Sequence, residues 1–161
     1  MLKAYFSDHM GAYDLLALAL QEAYGLAQLP PMERGAFGKP FFSGVSDLHF
    51  NLSHSGPFVL CAVGDEAVGA DIESVRPRAQ GLPRYGLTER EYQKFEALGG
   101  GWEHFYALWT AREAWSKYTG MGVARSRGKD IPENLRLSAF AGEGWRATVC
   151  AVSPVESLLW R

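Results

Sequence analysis

Hydrophobic and polar positions divide the chain into short, separable elements. Leu2 to Phe6 reads as a strand. Asp14 to Tyr24 is dense in leucine and alanine (Leu15, Leu16, Leu18, Ala19, Leu20), which predicts a helix stopped at Gly25. Pro30-Pro31 breaks the chain, and Met32 to Phe37 reads as a loop or short turn. Lys39 precedes Pro40, which biases it to an extended backbone held in a loop. Phe50 and Leu52 alternate with Asn51 and Ser53, the pattern of a half-buried strand, expected to end in a turn carrying Ser53, His54, Ser55 and Gly56. The apolar run Pro57 to Val63 and the stretch Gly69-Ala70-Asp71-Ile72-Glu73 are then expected to form a hairpin turning near Gly64-Asp65.

The second part of the chain is more helical. Arg76 to Tyr85 reads as a loop. Thr88-Glu89-Arg90-Glu91 is a capping box, opening a helix to about Leu98 with Tyr92, Phe95 and Leu98 as its apolar stripe. After Gly99-Gly100-Gly101, Trp102 to Tyr118 predicts a longer helix with Phe105, Leu108, Trp109, Ala111 and Trp115 on its buried side, ended by Gly120-Met121-Gly122. Residues 123–132, with Arg125, Arg127 and Lys129, read as a basic loop. Leu135–Phe140, Trp145–Val152 and Ser157–Trp160 are expected strands. Val59-Leu60-Cys61-Ala62-Val63 echoes Thr148-Val149-Cys150-Ala151-Val152, which fits two α/β halves of related topology.

Composition narrows the class. At 161 residues the chain is one domain or two small halves sharing a core, with 47% hydrophobic and 21% charged residues, which argues against disorder. A net charge of −2 argues against a general nucleic-acid binder. The two cysteines, Cys61 and Cys150, each lie in an apolar run and read as small buried hydrophobes. Lys3, Asp8 and His9 make the start unlike a signal peptide, and the apolar stretch from Leu15 to Leu20 is too short to span a bilayer, so a cytoplasmic protein is expected.

The chemistry centres on Asp71 and Glu73. In an extended strand both carboxylates share one face while Ile72 faces the other. Two such acids repel unless a positive charge sits between them, and Mg²⁺ takes carboxylates, waters and phosphate oxygens; the plainer alternative is a pair of surface acids on a solvent-facing strand. The hydroxyls, imidazole and flexible backbone of Ser53 to Gly56 suit a phosphate cradle. Trp109, Glu113 and Lys117 lie four apart on one helical stripe. An exposed Glu113–Lys117 pair would contribute only about 0.2–0.5 kcal/mol; a pair facing the sheet needs partners, which a metal and a phosphate would supply. Glu91 is explained by the capping box alone.

Gly38-Lys39-Pro40, Phe50-Asn51-Leu52-Ser53-His54-Ser55, Gly69-Ala70-Asp71-Ile72-Glu73 and Trp109-Thr110-Ala111-Arg112-Glu113-Ala114-Trp115-Ser116-Lys117 follow one another in that order. Together, over about residues 38–120, they resemble the 4′-phosphopantetheinyl transferases of the surfactin-synthetase-activating type. The resemblance implies an α/β (α+β) fold of two pseudo-symmetric halves, 1–66 and 67–161, each a small mostly antiparallel sheet with a packed helix and the active site in the cleft between them. It implies transfer of 4′-phosphopantetheine from coenzyme A to a serine of an acyl or peptidyl carrier protein, releasing adenosine 3′,5′-bisphosphate, by a monomer. By position Asp71, Glu73 and Glu113 would hold Mg²⁺, Lys117 would contact the diphosphate, and Lys39, Ser53 and His54 would contact coenzyme A phosphates. Glu91 matches the acid that would help deprotonate the carrier serine, with a metal-bound water as the alternative base. Longer family members carry more basic residues in the first half; of the 37 residues before Gly38, only Lys3 and Arg34 are lysine or arginine. Arg112 stands where a lysine is usual. A coenzyme A or carrier-protein binding module and a metal-dependent pyrophosphate hydrolase are the competing readings.

Overall fold

Two stretches of the chain solve the same packing problem in the same way. A computed structural model describes residues 1–161. The first stretch holds β1 (Leu2–Ser7), α1 (Ala12–Tyr24), β2 (Met32–Arg34), β3 (Pro40–Phe42), β4 (His49–Ser55) and β5 (Phe58–Gly64). The second holds β6 (Gly69–Ser74), α2 (Leu82–Gly86), α3 (Glu89–Ala97), α4 (Trp102–Thr119), α5 (Val123–Ser126), β7 (Arg136–Gly142), β8 (Trp145–Ala151) and β9 (Leu158–Trp160). β1, β4 and β5 form an antiparallel sheet in the order β4-β5-β1; β6, β7 and β8 form another in the order β7-β8-β6. In each, a strand and a helix precede a hairpin whose second strand returns beside the first. The Val59–Val63 and Thr148–Val152 echo falls on the equivalent central strands, β5 and β8. β2 and β3 make a separate small hairpin. β9 crosses back to pair parallel with β1, completing the first sheet as β4-β5-β1-β9.

Both faces of the central strands are covered, which is why they read as unbroken apolar runs. Ala4, Phe6, Leu60 and Ala62 meet Ala70, Ile72, Ala147 and Val149 between the sheets. The alternate residues Tyr5, Cys61 and Val63 meet Leu15, Leu16, Ala19 and Leu20 of α1. α4 covers the outer face of the second sheet, with Ala114 and Trp115 against Cys150. The layers run α1, sheet, sheet, α4. Both cysteines are buried and free. α1 and α4 each end on a glycine, Gly25 and Gly120, at φ 69°, where a side chain would be strained.

The sheets are joined by side chains. Ala70, Ile72 and Ser74 turn their amides away from β8, and buried amides must find acceptors. The corresponding edge of β1 takes β9. The edge of β6 takes the polar face of β4: Ala70 N donates to Asn51 Oδ1 at 2.8 Å, Ile72 N to Ser53 Oγ at 3.2 Å and Ser74 N to Ser55 Oγ at 3.0 Å. Asn51 and Ser53 are accordingly 4% and 6% exposed. The strand expected to be half-buried thus has its polar residues Asn51 and Ser53 buried too, with His54 left exposed, and it continues through Ser55, so Ser53, His54 and Ser55 do not stand in a turn.

Other local expectations change for the same non-local reason. β5 and β6 belong to different sheets, so no hairpin turns at Gly64-Asp65; both neighbours of β5 are already β1 and β4. The loops expected at 32–37, 76–85 and 123–132 contain β2, α2 and α5. On α3 only Phe95 is buried; Leu98 caps the helix and is exposed. Leu108, Trp109 and Ala111 on α4 are only half-buried, while Tyr106, Thr110, Arg112, Ala114 and Ser116 are buried, because α4 packs against the sheet on one side and α3 on another. The capping box at Thr88 and Glu91 forms as read.

α4 lies on β6 with no room for a side chain at Gly69: a Cβ there would fall on the carbonyl of Ala114 and the amide of Tyr118. Both obstacles are helix backbone, so neither can swing aside. Gly69→Ala is expected to destabilise the protein by at least ~3 kcal/mol, the upper range for overpacking, read as a fall in the urea unfolding midpoint; an unchanged midpoint would mean that α4 is free to lift away.

Candidate functional site

β6 presents Asp71 and Glu73 on the face that α4 covers, beside the seam with β4. Asp71 is 3% exposed. Its Oδ1 accepts from Ser53 Oγ at 2.9 Å and from Lys117 Nζ at 2.7 Å, while its Oδ2 is buried with no hydrogen-bond partner. Ser53 Oγ also accepts from Lys117 Nζ at 3.0 Å, so with the Ile72 amide its one proton and both lone pairs are used. Glu73 Oε2 accepts from Ser55 Oγ at 3.1 Å. The seam thus fixes the acids: the hydroxyls that hold β6 in place also donate to its carboxylates.

Glu113 and Lys117 come from the last two turns of α4. Lys117 reaches Asp71 and makes no ion pair with Glu113, so the exposed i, i+4 pair is not formed. Burial, then the charge of Asp71, pushes the Glu113 carboxyl from its ordinary 4.5 up to about 7; Glu73 adds to this, and Lys117 pulls against it. Burial also raises Asp71, against the pull of Lys117 and Ser53. Glu73 is raised by burial and then by Asp71. Asp71 thus raises both other acids, Glu73 also raises Glu113, and Lys117 pulls against the shift of all three. As they stand, no three His, Cys, Asp or Glu side chains close to metal-holding geometry.

Glu113 and Lys117 of this cluster border a cleft of about 270 Å³ between the β3–β4 region and the C-terminal end of α4, lined also by Lys39, Asn51 and Ser116. Lys39 is drawn inward: its Nζ donates to the carbonyls of Val68 at 2.9 Å and Tyr118 at 3.3 Å. Burial lowers this amine from 10.5 to about 8. Asp71, Glu73, Glu113, Lys117, Ser53 and Lys39 therefore gather on one side of α4. His54 does not join them; alternation along β4 puts it on the opposite face, exposed, in a shallow pocket with Asp8 and His9. Glu91 lines a different cavity of about 570 Å³, with Leu108, Ala111 and Thr148. The structural roles of Asn51, Ser55 and Gly69 were missed from sequence. Polar residues at alternate positions on a strand whose other face is apolar were the available signal, and it did not say what lay opposite.

The chain matches the model of the 4′-phosphopantetheinyl transferase superfamily over residues 67–146. It is 37% identical over 149 residues to the 4′-phosphopantetheinyl transferase AcpT of Escherichia coli O157:H7, covering 86% of this chain and 76% of that one. It is 32% identical over 114 residues to a 4′-phosphopantetheinyl transferase of Bacillus subtilis, covering 68% of this chain and 50% of that protein. To the transferase Sfp of Bacillus subtilis strain 168 it is 33% identical over 90 residues, 55% of this chain and 40% of that one. The chain belongs to the 4′-phosphopantetheinyl transferase superfamily, with Sfp-type relatives, and its mixed fold of small antiparallel sheets and packed helices is consistent with that class. It spans about half the length of the first Bacillus subtilis relative. No helix is long and apolar enough to cross a membrane.

The raised Glu113 carboxyl sets the sign of a pH effect. The folded form binds its proton more tightly than the open chain, so the added stability is complete below about 4.5 and is lost as pH rises through about 7. Lys39 acts in another window: its contribution is present above 10.5 and is lost as pH falls through about 8. Thermal melts of the metal-free protein are expected to fall in midpoint between pH 4.5 and 7, and Glu113→Gln should flatten that decline. A decline of wild-type size in the Gln variant would assign it elsewhere.

Proposed function

We propose that this chain transfers the 4′-phosphopantetheine group of coenzyme A to a serine of an acyl or peptidyl carrier protein. The observation that carries this is the buried cluster around Asp71: an orphaned carboxylate oxygen, Oδ2, beside two further acids and a lysine at the wall of a cleft. The donor set is all oxygen, and its mutual repulsion calls for more positive charge than Lys117 supplies; it fits a hard divalent cation. Asp71, Glu73 and Glu113 are the residues that would hold Mg²⁺. Bound there, such an ion supplies charge neutralisation on a diphosphate.

The chain's own groups have distinct tasks. Lys117 carries positive charge to the same place and is aimed by Ser53 and Asp71. Lys39 adds a second amine on the cleft wall, held to the end of α4. In the reaction the carrier serine oxygen forms a bond to the phosphorus that bears pantetheine, the bridging P–O bond of the diphosphate breaks, and adenosine 3′,5′-bisphosphate leaves. Such transfers are driven mainly by positioning and charge stabilisation, which is what a rigid cluster on two packed elements provides. The serine proton leaves to a base or to solvent.

The test is incubation with coenzyme A, Mg²⁺ and apo carrier proteins, with the carrier mass as readout. A gain equal to one phosphopantetheine, abolished by chelation and reduced at least ~100-fold in Asp71→Ala, is expected for loss of a charge-stabilising group. Full rate in Asp71→Ala overturns the assignment. Release of phosphopantetheine without a carrier would instead support a hydrolase.

A further inference from the structure

Arg112 immediately precedes Glu113 but serves the other flank of α4. Its side chain is 5% exposed. Nη1 donates to Glu91 Oε1 at 2.8 Å and to the Lys129 carbonyl at 3.1 Å; Nη2 donates to the Ser126 carbonyl at 2.8 Å. Glu91 Oε2 accepts the Thr88 amide at 2.9 Å. Both oxygens of Glu91 are occupied, one by its own helix and one by Arg112. The charges that act on Glu113 are Asp71, Lys117, Glu73 and Arg112, and Glu91 is not among them.

The other two acceptors lie on a segment with few hydrogen bonds to the rest of the chain. The hydrogen bonds joining residues 122–131 to the rest of the chain are the two from Arg112. The segment begins on the cleft wall, where Gly122 and Val123 face Lys39 and Lys117. Arg125 lies at 4.2 Å over the ring of Phe37, which lines the same cleft, and Arg127 over Tyr85 at 3.8 Å. One guanidinium thus ties three stretches of chain: the start of α3, the middle of α4 and the strap from α5 that borders the cleft.

We propose that Glu91 and Arg112 form a bracket that holds residues 122–129 against the cleft, and that Glu91 acts on the reaction through Arg112, as a positioning residue. A fork of fixed donors is required, because an ammonium group cannot bridge these three acceptors in the same geometry. The kinetic part of the test rests on the transferase reading; the binding and proteolysis parts do not.

The experiment compares wild type, Arg112→Met, Arg112→Lys, Glu91→Gln and the Glu91→Gln/Arg112→Met double variant. Three quantities are read: trypsin cleavage after Arg125, Arg127 and Lys129; the Kd of coenzyme A; and kcat and KM across pH. Arg112→Met is expected to speed cleavage at those bonds and raise Kd and KM about ten-fold, the effect of losing one charge-assisted hydrogen bond, with a smaller fall in kcat. Arg112→Lys rescues neither. Adding Glu91→Gln to Arg112→Met changes little more, the non-additivity of a coupled pair. Glu91→Gln alone lowers kcat less than ten-fold and keeps the acid limb of the pH profile. A fall of about 100-fold or more in kcat with KM unchanged and the acid limb lost makes Glu91 the proton acceptor and overturns the proposal. Wild-type cleavage in Arg112→Met overturns it as well. If Arg112→Met does not fold, the Glu91→Gln pH profile decides. If wild type transfers nothing, coenzyme A binding and cleavage decide.

Discussion

The rest of this protein depends on three amides of β6 and the three side chains that accept from them. Asn51, Ser53 and Ser55 stand at alternate positions of β4 and meet Ala70, Ile72 and Ser74, also alternate. The match of two strand periods lets a row of side chains do what a neighbouring strand does elsewhere. It fixes the register of one sheet against the other. It also hands the hydroxyls of Ser53 and Ser55 to Asp71 and Glu73, so the junction between sheets and the acid cluster are one hydrogen-bond network. Buried networks of this kind specify a single arrangement because any half-made version leaves polar groups unpaired.

The cluster is held in a state of unequal charge. Asp71, Glu73 and Glu113 are each pushed toward the protonated form by burial, Glu73 also by Asp71 and Glu113 by both of the others, and Lys117 offsets only part of this. Such a cluster takes up protons more readily than free carboxylates do. The rigid approach of α4 to β6 keeps the groups from spreading apart; Gly69, where no Cβ can fit, is the point at which that approach is closest.

The two sides of α4 divide labour. Glu113 and Lys117 face the cleft, whereas Arg112, one residue earlier, reaches α3 and the 122–131 segment. A helix places successive residues about 100° apart, so adjacent positions serve unrelated surroundings. Glu91, next to Arg112, is drawn into the second role. Lys39 likewise spends its donors on the carbonyls of Val68 and Tyr118, one of them at the open end of α4, where a cation is favourable.

The local elements were legible in the chain itself. The helices α1, α3 and α4, the Thr88 capping box and the central apolar strands follow from periodicity and end signals, since these are interactions among residues near in sequence. The shared face of Asp71 and Glu73, and the match between β5 and β8, could also be read directly. Which strands pair could not: β6 leaves β5 and joins β8 more than seventy residues on, and β9 returns to β1, because pairing is decided by which apolar faces remain uncovered once the layers stack. For the same reason the chain alone showed a run of serines and a histidine but not that Ser53 would be enclosed with Asp71 while His54 faced outward. Partners across the fold, not neighbours along it, set the burial and charge of each site residue.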